Sequence, residues 1–413
     1  MRVLMVLGDS TGGIGAHVDR LSQDLEAAGH EVVIATSEST ATAFDWAGAR
    51  RLWPVHRGWS APRGLVDWHL LKNLAGTVDV VHAHGHQAAF VAAVAVARAK
   101  PRPGLVVSLH NTVPGGVATR PVGGGATRGV GGGATRGVGG GATRGVGGGA
   151  TRGVGGGATR GVVAAVVRTL LRWALGRATL VTGASADLVD LARRLGAARA
   201  ELATVASPAV ERILATSPPD DRERRAARVA LRAAGHSIDD SRPLVLTIAR
   251  VAPQKDLVTL VAAARAARAP ATWVVVGGGD ERLRASLESE LSGIPLRFVG
   301  AQRDVEHWLR AADVFVLTSR WEARALVVQE AMASGLPVVT TRTGGLPDLV
   351  GDAGLLVPVG DSTAVAEAVD AVLGDHALRE RLGAAARARA GTWASPEEEA
   401  RRWVSRYTAA LHS

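Results

Sequence analysis

The chain has no cysteine. That excludes disulfides and thiolate metal sites, and it suits a reducing compartment. No stretch approaches the roughly 18 uncharged apolar residues that a membrane span requires. The apolar run Val3–Leu7 is too short for a secretory signal and reads as a first strand, so a cytoplasmic location is the default expectation. Acidic residues are missing between Val80 and Ala186, a segment that holds twelve Arg or Lys. The whole chain carries +10, so the remainder sums to 10 − 12 = −2. The basic character therefore belongs to one segment and not to a generally nucleic-acid-like protein, and no nucleic-acid partner is expected.

Half of that segment's charge comes from Arg120, Arg128, Arg136, Arg144, Arg152 and Arg160, spaced eight residues apart. The unit is ATRGVGGG, running from 118 to 162, and it holds 20 of the 51 glycines. So much glycine loses a large backbone entropy on folding and offers only single valines to bury, which predicts a flexible loop. An arm for nucleic acid or an anionic membrane is the rival reading, but no aromatic residue lies between Val113 and Leu171 to stack on bases.

With 413 residues, 47% of them apolar, the chain is long enough for two domains. Either side of the repeat it alternates strands and helices. Strands are expected at Arg2–Leu7, Glu31–Ala35, Val78–His82, Gly104–Leu109 and Ala178–Thr182, then at Pro243–Ile248, Thr272–Val276, Pro295–Val299, Asp313–Leu317 and Pro337–Thr341. A helix is expected over Gly15–Ala28. Another opens at the N-cap Ser395, with Pro396 and Glu397–Glu399 in its first turn. This pattern predicts an α/β fold of two doubly wound, Rossmann-like domains facing a cleft. The expected divisions are 1–206, with the repeat 118–162 inserted; a linker at 207–220; 221–392; and a C-terminal helix within 393–413 that packs back toward the first domain.

Two fingerprints fail. After the first strand, Gly13-x-Gly15 needs a third glycine at position 18 and finds valine, so a nicotinamide-dependent dehydrogenase is disfavoured. No G-K-[ST] phosphate loop occurs either. Gly12 and Gly13 at the start of a helix still suit a phosphate- or substrate-facing loop, whereas Gly277, Gly278 and Gly279 read equally well as a turn.

The most informative block is residues 319–350. Glu322 and Glu330 stand eight positions apart, just after the strand-like DVFVLTS, and are followed by a turn, a β-rich run and Gly344–Gly345. This block resembles the E-x7-E signature of retaining, sugar-nucleotide-dependent glycosyltransferases of the GT-B fold, family four. Further motifs occur in that family's order: GGIGAHV at Gly12–Val18, DVVHAHG at Asp79–Gly85, VVSLHN at Val106–Asn111, IARVAPQKD at Ile248–Asp256, and VVVGGGD with FVGAQRD before the glutamates. The resemblance implies a metal-independent hexosyltransferase that uses a UDP- or GDP-sugar and retains configuration. It makes Arg250, Lys255, Glu322 and His110 the catalytic set. Glu330, Gly12, Gly13, Gly277, Gly278, Arg303, Leu326, Val327 and Gly344 would hold the donor, and His82 and His84 would lie on the acceptor side. Beside Glu322 the family commonly has Gly and then an aromatic residue or Pro, and this chain has Ala323 and Arg324 instead.

The chemistry fits those residue types. Departure of a nucleoside diphosphate develops charge on phosphate oxygens, which fixed cations stabilise, and carboxylates accept paired hydrogen bonds from vicinal hydroxyls. No D-x-D pair is present to hold a divalent cation on the diphosphate, and no cofactor is expected. His82, His84 and His86 alternate and would share one face of a strand, a tempting metal set without a nearby carboxylate. The helix expected over Val163–Ala178 has an apolar face and carries Arg168, Arg172 and Arg177, so peripheral contact with an anionic membrane is one reading and packing on the first sheet the other. Two alternative functions stay open: a non-catalytic tether using the basic repeat, and another GT-B enzyme such as a sugar-nucleotide epimerase.

Overall fold

The computed structural model describes residues 1–10, 12–53, 61–112 and 156–412. The repeat therefore lies outside the described residues as far as position 155. Its last residues open a helix, Gly156–Leu175, earlier than the expected start at Val163. The chain divides into two compact units, Met1–Asn111 with Leu171–Ser413, and Thr112–Leu170. Both sheets belong to the first.

The first sheet contains β1 (Arg2–Leu7), β2 (Glu31–Thr36), β3 (Arg50–Arg51), β4 (Val80–His84), β5 (Gly104–Leu109), β6 (Leu180–Gly183) and β7 (Ala200–Leu202), in the order β3-β2-β1-β4-β5-β6-β7. The second contains β8 (Leu244–Ile248), β9 (Thr272–Val276), β10 (Leu296–Phe298), β11 (Val314–Leu317), β12 (Val338–Thr341) and β13 (Leu355–Val357), in the order β10-β9-β8-β11-β12-β13. All pairings are parallel. In the second sheet, Leu244, Leu246, Ile248, Val274, Val276, Phe315 and Leu317 enter one hydrophobic core, while Val245, Trp273, Val275, Val314 and Val316 enter another. Alternate side chains feed opposite faces, both covered by helices, which is why these strands read as unbroken apolar runs. Each fully buried Val, Leu or Phe contributes about 1.5–3 kcal/mol.

Strand order reverses direction beside β1 and β4 in the first sheet and beside β8 and β11 in the second. Loops at the carboxyl ends of such neighbours splay apart and leave a crevice. Here those loops hold Gly8–Ser10, Gly12 and Gly85, then Ala249–Asp256 and Thr318–Ala325.

Three edge strands escaped the sequence reading: β3, β7 and β13. Each spans only two or three residues, too short to display a period. The strand expected at Val78–His82 is shifted to Val80–His84, paired with Val3–Leu7 on one side and with β5 on the other. His86 accordingly opens the next helix, His86–Arg98, which corrects the expectation that three alternating histidines share a strand face.

Ser395 caps the helix Pro396–Leu411 in a reciprocal box with Glu398. That helix buries Trp403 and Tyr407 in the core formed by Val3, Met5, Leu7, Val80 and Val106, so the chain ends against its first sheet. Within Gly156–Leu175, Leu171, Ala174 and Leu175 are buried. Val166 and Leu170 are exposed, as are Arg168, Arg172 and Arg177. No helix among the described residues is long and apolar enough to cross a membrane.

Candidate active site

The loop after β8 is held by glycine. Val251 forms a parallel bridge with Gly279, and the amide of Ala249 donates to Val276 and that of Val251 to Gly278, at 2.9 and 2.8 Å. Gly277 and Gly279 both adopt φ of +146°, and a Cβ on either would overlap a carbonyl oxygen, of Ala249 or of Val251. Only glycine permits this approach. Gly277→Ala is expected to cost on the order of 2–4 kcal/mol and to disturb the Arg250 loop. Chemical denaturation followed by circular dichroism checks it, and an unchanged midpoint would count against the strain argument.

The same loop ends at Asp256, a buried non-glycine residue in the left-handed region (φ +49°). Thr259 donates to its carboxylate at 2.9 Å, and Thr318 lies 3.1 Å from the carbonyls of Lys255 and Asp256. A strained residue fixed from several sides holds its neighbour in one place. That neighbour, Lys255, donates from Nζ to Glu322 Oε1 at 2.5 Å, and Ser319 Oγ donates to the same oxygen at 2.6 Å. Glu322 is 7% exposed. Behind it, the amide of Gly345 donates to the Glu322 carbonyl at 2.8 Å, and Gly344, at φ +52°, lies where a Cβ would overlap that carbonyl. Arg250 is exposed and pairs with no carboxylate among the described residues.

Glu330 sits in the helix Leu326–Ala333. Ser207 Oγ donates to its Oε1 at 2.5 Å. Burial pushes the Glu330 carboxyl above the usual carboxylate range, against the Ser207 bond and the Arg212 charge, which lower it. The carboxylate lines a cavity of about 360 Å³ with Arg303, Val305, Leu309 and the helix Val210–Leu214. Arg212 pairs with Glu306 among the lining residues. Leu326 begins the helix in ordinary contact range of Gly13: a Cβ there would stand 3.5 Å from Leu326 Cδ1. The glycine loop of the first sheet and the helix of the second are thus neighbours. Trp321 Nε1 also donates to Asp187 Oδ2 at 2.7 Å.

On the first sheet, His84 Nδ1 stands 3.2 Å from His110 Nε2. His82 is fully buried, with Nδ1 2.8 Å from the Tyr407 hydroxyl and Nε2 2.7 Å from Ser108 Oγ. Both its ring nitrogens are satisfied internally. Ser108 in turn meets Thr182 at 2.7 Å. A fourth histidine, His17, lies with ring centroids 5.7 Å from His84 and 5.6 Å from His110. Burial lowers His17 to about 4 and His110 to about 3. His82 and His84 are also held well below the ordinary value, first by burial and then by the neighbouring imidazoles. All four are therefore neutral at pH 7. Among the described residues no group of three or more His, Cys, Asp or Glu is arranged to hold a metal ion.

The structure thus joins Lys255 to Glu322, backs Glu322 with Gly344, sets Glu330 and Arg303 in one cavity, and gathers His82, His84 and His110. Sequence reading missed His17, Ser207, Ser319 and Gln329. For His17 the signal existed: it lies four positions past Gly13, one helical turn along the same face. Ser207 and Gln329 offered none, because their partners are set by the return of distant segments.

Residues 12–208 match the family described as glycosyl transferase 4-like domain, and residues 232–389 match the family described as glycosyl transferases group 1. The lipopolysaccharide core biosynthesis glycosyltransferase LpsE of Rhizobium meliloti is 36% identical over 34% of this chain and 42% of its own length. The D-inositol 3-phosphate glycosyltransferase of Jonesia denitrificans is 33% identical over 52% and 54%. The chain spans about half the length of these curated relatives. Anabaena Alr3699/HepE in complex with UDP-glucose has a similar fold: TM-score 0.73 at 17% identity, covering 99% of this chain and 100% of that one. The chain thus carries, in order, a region that matches glycosyl transferase 4-like domains and a region that matches glycosyl transferases group 1, on a fold shared end to end with that structure.

Proposed function

We propose that the chain transfers a hexosyl group from a UDP- or GDP-sugar to an acceptor, with retention of configuration and without a divalent metal. The observation that carries this reading is the Lys255–Glu322 pair, a buried carboxylate and a half-buried cation on the loops at a topological switch point. A nucleotide sugar needs a fixed cation at the diphosphate and a carboxylate at the hexose hydroxyls, and this pair supplies both side by side. Lys255 meets the charge that grows on the leaving β-phosphate oxygen, joined by Arg250, whose exposed guanidinium is free to swing onto the diphosphate. The first amides of the helix Leu326–Ala333, at Leu326 and Val327, add donors and the positive end of the helix dipole. Glu330 takes the ribose hydroxyls, with the base in the cavity beside Arg303.

For retention, the acceptor hydroxyl approaches on the face from which the diphosphate leaves, and the leaving phosphate oxygen takes its proton. His110 and His84, neutral and adjacent, orient the hexose and the acceptor. Gly12 and Gly13 leave room beside Leu326 for the diphosphate. The relatives named for lipopolysaccharide core and inositol phosphate chemistry are consistent with a saccharide, glycolipid or small-metabolite acceptor. Peripheral contact with an anionic membrane through Arg168, Arg172 and Arg177, on the cytoplasmic side, belongs to the same proposal.

Thermal unfolding with UDP, GDP, ADP and their sugar conjugates tests it. A ligand at about a hundred times its dissociation constant adds roughly 2.7 kcal/mol of stability. One nucleotide family is expected to shift the wild type, with EDTA present, and Lys255→Ala and Glu330→Ala are expected to lose the shift. If no nucleotide shifts the wild type, the donor-site reading is wrong.

A further inference from the structure

The linker between the two sheets does more than connect them. Ser207 is 4% exposed and Gln329 1%. Gln329 Oε1 accepts the Ser207 amide at 3.1 Å, and Gln329 Nε2 donates to the Val205 carbonyl at 2.9 Å. The amide side chain thus clamps two linker residues onto the helix that carries Glu330. Ser207 Oγ accepts from the Ala209 amide at 3.3 Å. A hydroxyl has one proton, and with that lone pair taken the proton is aimed at Glu330 Oε1, 2.5 Å away. Only Oε1 takes part in this bond, so the orientation of the carboxylate is set while Oε2 is left for another donor in the cavity. On a second side, Ser207, Pro208 and Gln329 line a separate cavity of about 190 Å³ with His17, Leu21 and Trp393, which gives the linker room to shift.

We propose that Ser207, held by Gln329, is a positioning residue for donor recognition: it fixes the Glu330 carboxylate for the ribose hydroxyls and so ties donor binding to the interdomain linker. The inference rests on the reading of Glu330 as the ribose carboxylate. Ser207 touches no substrate in this scheme. It acts by holding one oxygen of a half-buried carboxylate and by opposing the burial that favours its protonated form, which gives up one acceptor oxygen to a proton. Without the hydroxyl, Glu330 would rotate freely and would bind a proton at higher pH, and both changes weaken its acceptance of a vicinal diol.

The test is calorimetric titration of the full chain with UDP or GDP, whichever shifts its unfolding, and with the 2′,3′-dideoxy form of the same nucleotide. Wild type is expected to favour the ribonucleotide. Ser207→Ala is expected to lose about 10- to 150-fold in affinity for the ribonucleotide, the scale of one hydrogen bond to a charged group, with less than twofold change for the dideoxy form. Ser207→Thr keeps a hydroxyl and should recover most of the loss. If Ser207→Ala does not fold, Ser207→Cys, with a weak donor of similar size, should give the same selective loss. Equal losses for both nucleotides, or none for either, would overturn the proposal while leaving Glu330 in place. Equal binding of the two nucleotides by the wild type would instead remove the ribose reading itself, and the proposal with it.

Discussion

Lys255→Ala is expected to lower kcat/KM by about 10²–10³-fold, the cost of removing one preorganised charge from a transition state, and also to destabilise the ligand-free protein. The two effects have separate causes. Side-chain exposure of Lys255 and Glu322 is 14% and 9%. Removing the cation leaves a buried carboxylate held by the Ser319 hydroxyl, and an uncompensated buried charge costs about 3–5 kcal/mol. Lys255→Met/Glu322→Leu removes both charges at similar volume and should recover most of that stability, because well-packed neutral replacements of a buried pair are often close to neutral in cost. Activity should not return. Denaturant midpoints beside turnover measurements check this pair of outcomes. A double variant as unstable as the single one would mean that packing, not charge, explains the loss. A single variant with near-normal turnover would sink the catalytic role of Lys255.

Acidification is expected to destabilise the fold well before ordinary acid denaturation. His17, His82, His84 and His110 are buried and neutral, and each has a folded pKa below its unfolded value. The unfolded chain therefore binds more protons than the native one in the window below about 6.5. The stability these groups contribute is fully present above pH 6.5. It is lost progressively as pH falls, down to about 4 for His17 and about 3 for His110. For His17 alone the loss approaches about 3 kcal/mol at the bottom of that range. Asp24, Glu330 and Glu399 act in the opposite sense, because burial raises them and the native state takes up their protons more readily. His17→Gln isolates one contribution: its stability should fall less steeply between pH 6.5 and 4.5 than that of the wild type. Parallel slopes, measured by urea unfolding at several pH values, would show that His17 is not withheld from protons as argued.

Much of the scaffold could be read from local pattern. The apolar runs at Arg2–Leu7, Gly104–Leu109 and Thr272–Val276 are strands with the expected limits, because a strand buried on both faces must be apolar throughout. Ser395 with Glu398 announced a helix start that the structure contains. Lys255 and Glu322 were legible as loop residues following β8 and β11. Their sequence separation could not give the 2.5 Å contact, since that depends on β8 pairing with β11 across an intervening reversal of strand order.

By itself the sequence determined the longer strands and helices, and which loops carry charge, because those properties follow from side-chain period and capping over a few residues. The tertiary structure alone decided that Tyr407 would meet His82 across 325 positions, that Ser207 would hold Glu330 across 123, and that His17 would complete a cluster with His84 and His110. Such contacts form because two sheets and a returning helix must bury their faces together. That requirement acts on the whole chain at once and leaves no local mark on the residues it brings into contact.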